Sequence, residues 1–571
     1  MKRVIGVVAG IALLAAGLGA PQGAAAQRRD ELVWKPCGGQ RGTGIFGPPA
    51  VPGRAANEEE CASVRVPLDY GDPSRTISLA LTRIRGTVAP GRDHLGVLLV
   101  NPGGPGASGR DLARRVAAQL PPGLSGRFDV VGFDPRGVGR SRPALRCMSP
   151  EKLYEAPRPD YVPRDRREEG VLVGRARRYA EACGSRWNWL LPYMTTENSA
   201  RDMDAIREAL GERRISYLGY SYGTYLGAVY ATLFPDRVGR MVLDSVVDPE
   251  GIWYESNLAQ NVTFDRRHQD FLRWTARHND VYRLGPTQKA VSFAWYAMRD
   301  RLRAHPAGGR LGPSELDDLY TVAGYSDLVW PQFARAFSAY VRKGDAGPLL
   351  AAHRRNVETD AAAENSYAVY LAVQCRDAAW PRDWGAWRRD MTRMHARAPF
   401  LTWSNAWYNA PCAFWPQRGG TPVRLRDDPR LPPIMLIQAE RDAATPYDGA
   451  LRLRRLFTAS RLVSATSGNH GVAFDGNACV DRRLFAYLRD GTLPAPAPSA
   501  TSARPAASGD ARRTGAAGAG TAGIGAAGTG TGAAYGAARR PGIAADVRCA
   551  GNPEPVPVED RPVARPIAMG G

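Results

Sequence analysis

Between Ser63 and Asp134 the chain alternates short apolar runs with turn residues. LGVLLV (Leu95 to Val100) and RFDVVGFD (Arg127 to Asp134) hold apolar residues without alternation, the pattern of strands buried on both faces. ISYLGY (Ile215 to Tyr220) reads the same way. It runs directly into GTYLGAVYATLFPD, whose apolar spacing predicts a helix ended by Pro235. VGRMVLDSVV (Val238 to Val247) is the next strand. This rhythm predicts a mainly parallel sheet with helices on its faces.

From about Glu250 to Arg418 the period changes to helical. In YSDLVWPQFARAFSAYVRKG, Leu328, Phe333, Phe337 and Val341 recur at near-helical spacing and predict a helix with a core-facing stripe. Strand texture then returns in PPIMLIQAERD (Pro432 to Asp442) and RLVSATSGNHG (Arg461 to Gly471). The sheet is therefore interrupted by an all-helical insertion and resumed after it. The expected organisation is a leader over 1–26, a core in two parts (27–249 and 419–493), a helical cap over 250–418, and a linker over 494–546. The tail, 547–571, contains Cys549. The linker is Ala, Gly, Pro, Ser and Thr with few large apolar side chains, too little to fold by itself.

Composition adds compartment and excludes some partners. The N-terminus opens with Lys2 and Arg3, continues apolar from Val4 to about Ala20, and ends in small residues. Ala24 and Ala26 satisfy the A-x-A rule, so cleavage is expected after Ala26. The run is short and Gly-rich for a spanning helix, and no later stretch is apolar enough to span a bilayer. An exported protein with no membrane segment after processing is the expectation, with wall association allowed by a net charge of +20. The arginines are scattered, without aromatic interleaving, so no nucleic-acid partner is expected. The eight cysteines suit an oxidising compartment and fall as sequence neighbours. They predict the bridges Cys37–Cys61, Cys147–Cys183, Cys375–Cys412 and Cys479–Cys549. No Cys/His set has zinc spacing, and neither metal nor cofactor is expected.

The chemistry centres on GYSYG, which places Ser221 between Gly219 and Gly223. The pentapeptide alone is weak evidence in a chain with 62 glycines. Its context is stronger: a strand before, a helix after, and small residues (Gly227 included) where the two cross, as a nucleophile elbow requires. A serine needs a base oriented by an acid. Among the seven histidines only His470 lies beyond the resumed sheet, in a Gly-flanked loop. Asp442, just past a strand, is the preferred acid; Glu440 is the alternative, and Asp448 reads as part of the next helix. The oxyanion hole needs backbone N–H donors. Tyr222, after the nucleophile, and Gly103 and Gly104 of LLVNPGGPGASG are the candidates. That loop lacks the lysine of a phosphate-binding loop. Asp134 and Arg136, in GFDPRGVGRS, read as structural and as able to pair with each other.

Together VNPGGPGASG, FDPRGVGRS, TTENSARDMDAIREALG, LGYSYGTYLG, D-x-x-T-P and GNHG resemble the tripeptidyl aminopeptidase branch of the α/β-hydrolases, near the proline iminopeptidases. The resemblance covers about Leu32 to Leu493 and resumes near Cys549. It implies an α/β-hydrolase fold with a helical cap, and an exported bacterial serine exopeptidase whose triad is Ser221, Asp442 and His470. The implied substrates are peptides with a free N-terminus, with an acyl-ester hydrolase as the alternative. AVQCRDAAWP matches a recurring cap pattern through Cys375 and Asp377. Asp377 and Glu255 are candidates to pair with the substrate ammonium. Two features depart from the family: Pro102 stands where proline iminopeptidases have a histidine, and the linker is unusually long.

Overall fold

The structure, a computed structural model, describes residues 32–38, 59–89, 91–496 and 544–557. The expected leader and residues 497–543 of the expected linker lie outside the described residues.

The described residues form one ten-stranded sheet. Its strands are β1 (Lys35–Pro36), β2 (Glu59–Pro67), β3 (Thr76–Ile84), β4 (Val97–Asn101), β5 (Asp129–Phe133), β6 (Ile215–Tyr220), β7 (Val238–Asp244), β8 (Met435–Ala439), β9 (Arg461–Ala465) and β10 (Val547–Cys549). The order is β1-β2-β3-β5-β4-β6-β7-β8-β9-β10. β1, β2, β3 and β5 pair antiparallel, and every pairing from β5 to β10 is parallel. The unbroken apolar run of β4 has a simple cause. Val97 and Leu99 pack into the core on one face, Leu98 and Val100 into the core on the other, as a two-residue side-chain period dictates. β6 divides likewise, Ile215 and Tyr217 against Leu218 and Tyr220.

The turn after β5 is pinned from inside. Arg136 and Asp202 are both fully buried and make a bidentate pair, with Nε–Oδ2 at 2.8 Å and Nη2–Oδ1 at 2.6 Å. Arg136 also donates to the carbonyls of Leu68 (3.1 Å) and Tyr193 (3.0 Å), and Tyr70 donates its hydroxyl to Asp202 (2.8 Å). Asp134 does not join this pair; it accepts from the Ser108 hydroxyl and from Arg140 N at 2.8 Å. Both residues of this motif are thus structural, with separate partners.

Between residues 250 and 418 the chain forms helices and no strand. Helices Tyr254–Arg277, Gln288–Ala304, Pro313–Tyr325 and Trp330–Lys343 enclose an aromatic core around Trp274, Trp295 and Trp330. Phe333 and Phe337 are buried as expected, and Val341 packs against the core. Leu328 is not part of the stripe: it lies on a 3-10 turn before the helix and is 45% exposed. Pro331, tolerated in a first helical turn, marks where the helix begins.

A second difference concerns Pro150 to Asn188, placed by the sequence in the first part of the core. Here Arg158 donates to Glu315 (2.8 Å) and Asp318 (2.6 Å), Trp407 donates to Tyr161 O (2.7 Å), and Trp384 donates to Glu169 (2.7 Å). The segment, with its helix Arg166–Trp187, packs against the cap. Nothing in its periodicity distinguishes a helix on a sheet from a helix on other helices.

All four expected disulfides are formed, Cys37–Cys61, Cys147–Cys183, Cys375–Cys412 and Cys479–Cys549. The last fastens β10, the parallel edge strand beside β9, to the helix Ala478–Asp490. No helix among the described residues is long and apolar enough to cross a membrane.

Candidate active site

Ser221 occupies the turn between β6 and the helix Tyr222–Leu233, with φ 55° and ψ −127°. A non-glycine residue there is strained, and the surroundings hold it in place. Ser221 N donates to Asp244 O (3.0 Å), while Ser221 O accepts from Thr224 N (2.8 Å) and Thr224 Oγ1 (2.6 Å). The flanking glycines let strand and helix cross closely. A Cβ at Gly219 would lie 2.5 Å from Gly223 O, and one at Gly227 would lie 2.7 Å from Tyr217 Cε1.

The PGGPG loop leaves β4 and comes to rest against this turn. Gly103 has φ +101°, and a Cβ there would stand 2.9 Å from Ser221 Cβ and 3.0 Å from Tyr222 N. Its own N–H donates to Asn101 Oδ1 at 2.9 Å. Gly104 and Tyr222 line the cavity together with Ser221.

Asp442 and His470 meet at the ends of β8 and β9. The His470 Nδ1 lies 2.9 Å from Asp442 Oδ2 and 3.0 Å from Oδ1, and both side chains are buried. Asp442 is itself fixed: Oδ1 accepts from Ala444 N (2.9 Å) and Thr445 N (3.0 Å), Oδ2 from Thr445 Oγ1 (2.9 Å) and Gln438 Nε2 (3.3 Å). These bonds fix the orientation of the carboxylate toward the ring. His470 Nε2 is buried and makes no hydrogen bond among the described residues. The alternative acid, Glu440, is engaged elsewhere, with Arg548 at 2.6 Å and Ser464 Oγ at 3.0 Å. Asp448 belongs to the helix Tyr447–Leu456.

Sequence reasoning missed the support beneath the histidine. Asp244, at the end of β7, accepts from Val472 N (2.8 Å) and Ala473 N (2.6 Å) on Oδ2, and Ser245 Oγ accepts from Gly471 N (2.7 Å). Three successive N–H groups after His470 are thereby held. The available signal was an acid ending an otherwise apolar strand. Burial pushes the Asp244 carboxyl up to about 7, against the lowering effect of these bonds. Its folded value therefore stands above its unfolded one, and ionisation opposes folding. Wild type is expected to lose stability relative to Asp244→Asn as pH rises from about 4 to about 7. Melting temperatures of both proteins across that range check this, and a constant difference would contradict it.

Above Ser221 lies a cavity of about 440 Å³ between core and cap. Tyrosines dominate its wall, among them Tyr154, Tyr161, Tyr325, Tyr367 and Tyr370, with Asn257 and Gln260 adding amides. Its carboxylates come from Asp248, Asp318 and Glu358. Asp248 pairs with Arg452 (2.8 Å) and Asp318 with Arg158 (2.6 Å). Neither Asp377 nor Glu255 is on this wall. Asp377 is buried and accepts from Thr196 N (2.8 Å), Thr196 Oγ1 (2.6 Å) and Trp253 Nε1 (3.3 Å), while Glu255 is exposed. Burial raises the Asp377 carboxyl to about 6.

A parallel sheet with a serine elbow after β6, a capped cavity above it and a buried Asp–His pair beyond it define an α/β-hydrolase. Residues 96–303 match the family model described as alpha/beta hydrolase fold, and residues 398–500 match that of TAP-like proteins. The tripeptidyl aminopeptidase of Streptomyces coelicolor is 45% identical over 441 residues, 76% of this chain and 81% of the relative. Serine protease Hip1 of Mycobacterium tuberculosis is 32% identical over 76% of this chain and 86% of its own length. Carboxylesterase B of the same organism is 35% identical over 76% and 85%. The chain belongs to the tripeptidyl aminopeptidase family of α/β-hydrolases.

Proposed function

We propose that the protein is an exported serine exopeptidase that releases short peptides, tripeptides foremost, from the free N-termini of peptide substrates. Ser221 attacks the scissile carbonyl, His470 takes its proton and returns it to the leaving amine, and Asp442 holds the imidazole in the tautomer that presents Nε2. The oxyanion is assigned to the N–H groups of Gly104 and Tyr222. Gly103 serves as the spacer that lets the loop approach, because its N–H is engaged with Asn101. The reading is supported by the buried Asp442–His470 pair together with a strained Ser221 that lines the capped cavity. A volume of about 440 Å³ suits a small ligand or a short peptide end and excludes a folded protein.

Four disulfides support export, and the leader read from residues 1–26 supplies its route. An ammonium entering the cavity meets the carboxylates of Asp248, Asp318 and Glu358, and these replace Asp377 and Glu255 as candidates for its recognition.

Matched chromogenic substrates test the reading: a tripeptide amide with a free N-terminus, its N-acetylated twin, a single-residue amide and a short acyl ester. The free tripeptide is expected to be cleaved at least tenfold faster than its acetylated twin, a gap of about 1.4 kcal/mol in transition-state binding. Comparable rates on both would remove the exopeptidase assignment. Turnover of the ester alone would favour the carboxylesterase-like activity.

A further inference from the structure

The loop bearing His470 is gripped from two sides. The core side uses Asp244 and Ser245, as described above. On the cap side, His470 N donates to Tyr325 O at 2.8 Å, at the end of the helix Pro313–Tyr325. Its ring stands edge-on to the Tyr325 ring, with centroids 5.4 Å apart. The preceding residue, Asn469, is buried and used at both ends of its amide. Oδ1 accepts from Asp327 N (3.0 Å) and Arg267 Nη2 (3.0 Å), and Nδ2 donates to Asp327 Oδ1 (3.0 Å). Arg267 Nη2 closes the set on Asp327 Oδ2 at 3.0 Å. The guanidinium is buried over the Trp330 ring, 4.4 Å from its centroid. Gly468 makes room for it, since a Cβ there would lie 2.5 Å from Arg267 Cζ.

Cap residues from the helix Tyr254–Arg277, the end of Pro313–Tyr325 and the turn Asp327–Val329 therefore converge on two consecutive residues, one of them His470. The same two helices wall the cavity through Asn257, Gln260, Asp318 and Tyr325. An amide that donates to and accepts from one partner is satisfied in a single register. A displacement of the cap by an ångström breaks bonds on both of its ends. We propose that Asn469, Asp327 and Arg267 form a latch through which the position of the cap sets the orientation of His470. Asn469 and Asp327 are then positioning residues for proton transfer from Ser221. This rests on the roles given above to Ser221 and His470.

The test compares Asn469→Ala, Asp327→Asn and Gly468→Ala in the full-length protein. Each is expected to lower kcat by about 10- to 100-fold with KM within about twofold, the scale of a displacement of about 1 Å at a reacting group. Labelling of Ser221 by a small fluorophosphonate should slow in parallel, because that reaction needs the base and little of the cavity. Trp274→Phe removes the indole bond to Pro555 O (2.9 Å) in the same cap helix; it should lower the melting temperature while leaving kcat unchanged. Wild-type kcat in folded Asn469→Ala and Gly468→Ala, with Ser221→Ala and His470→Ala inactive, would overturn the latch alone. So would an equal loss of kcat in Trp274→Phe. Activity retained by Ser221→Ala or His470→Ala would instead overturn the reading of the site on which the latch depends.

Discussion

Ser221→Ala is expected to lower kcat by about 10⁶-fold with little change in KM, since nucleophile and base act as one unit. The structure explains why no neighbour would take over. Ser221 is the hydroxyl held at the strained turn between β6 and its helix, and the Gly103 loop presses against that turn. Thr445 Oγ1 is near the histidine, but it donates to Asp442 Oδ2 (2.9 Å) and so belongs to the acid. Alanine costs the helix no cap, because the Ser221 side chain supplies no cap hydrogen bond to it. Folding should be preserved and peptide binding retained. Burst kinetics with wild type and equilibrium binding of an uncleaved tripeptide to the variant measure the two halves of this prediction. A residual rate above about one-thousandth of wild type, too high for the oxyanion hole alone, would remove Ser221 from the mechanism.

Asp202→Ala should have the largest effect on stability, a loss of about 3–5 kcal/mol. The variant leaves the Arg136 guanidinium fully buried without its bidentate partner, and it strips Tyr70 of an acceptor. Against a typical total of about 5–15 kcal/mol this is about a fifth or more of the whole. Neither residue lines the cavity, so the folded fraction should keep the wild-type KM. Urea unfolding midpoints provide the measurement. The double variant Arg136→Met/Asp202→Leu should recover part of the loss, because it buries no charge, while the carbonyls of Leu68 and Tyr193 still lack their donor. An Asp202→Ala midpoint equal to wild type would show that the pair contributes nothing net.

Two kinds of residue were placed differently by sequence and structure. Leu328 matched the helical period yet is exposed, because Pro331 sets the start of the helix and leaves Leu328 on a turn. Asp377 and Glu255 were singled out by type and by motif, but substrate contact depends on where a helix faces. Asp377 faces inward to Thr196 and Trp253, and Glu255 faces solvent.

By itself the sequence determined what depends on neighbours along the chain. The strands at 97–101, 129–133, 215–220 and 238–244 were legible because burial on both faces demands uninterrupted apolar residues. The Ser221 elbow was legible because a tight strand-to-helix crossing demands glycine at 219, 223 and 227. Pairing of neighbouring cysteines was the expectation from their order, and the structure forms those four bridges. Tertiary structure alone decided the rest. It brought the carboxylate of Asp442 to the His470 ring and that of Glu440 to Arg548, packed residues 150–188 against the cap, put Asp248, Asp318 and Glu358 on the cavity wall, and tied Asn469 to Arg267, 202 residues away. Each of these depends on which side chains from distant segments arrive within a hydrogen bond of one another. Local periodicity encodes which face of an element is buried, and it contains no information about what that face will meet.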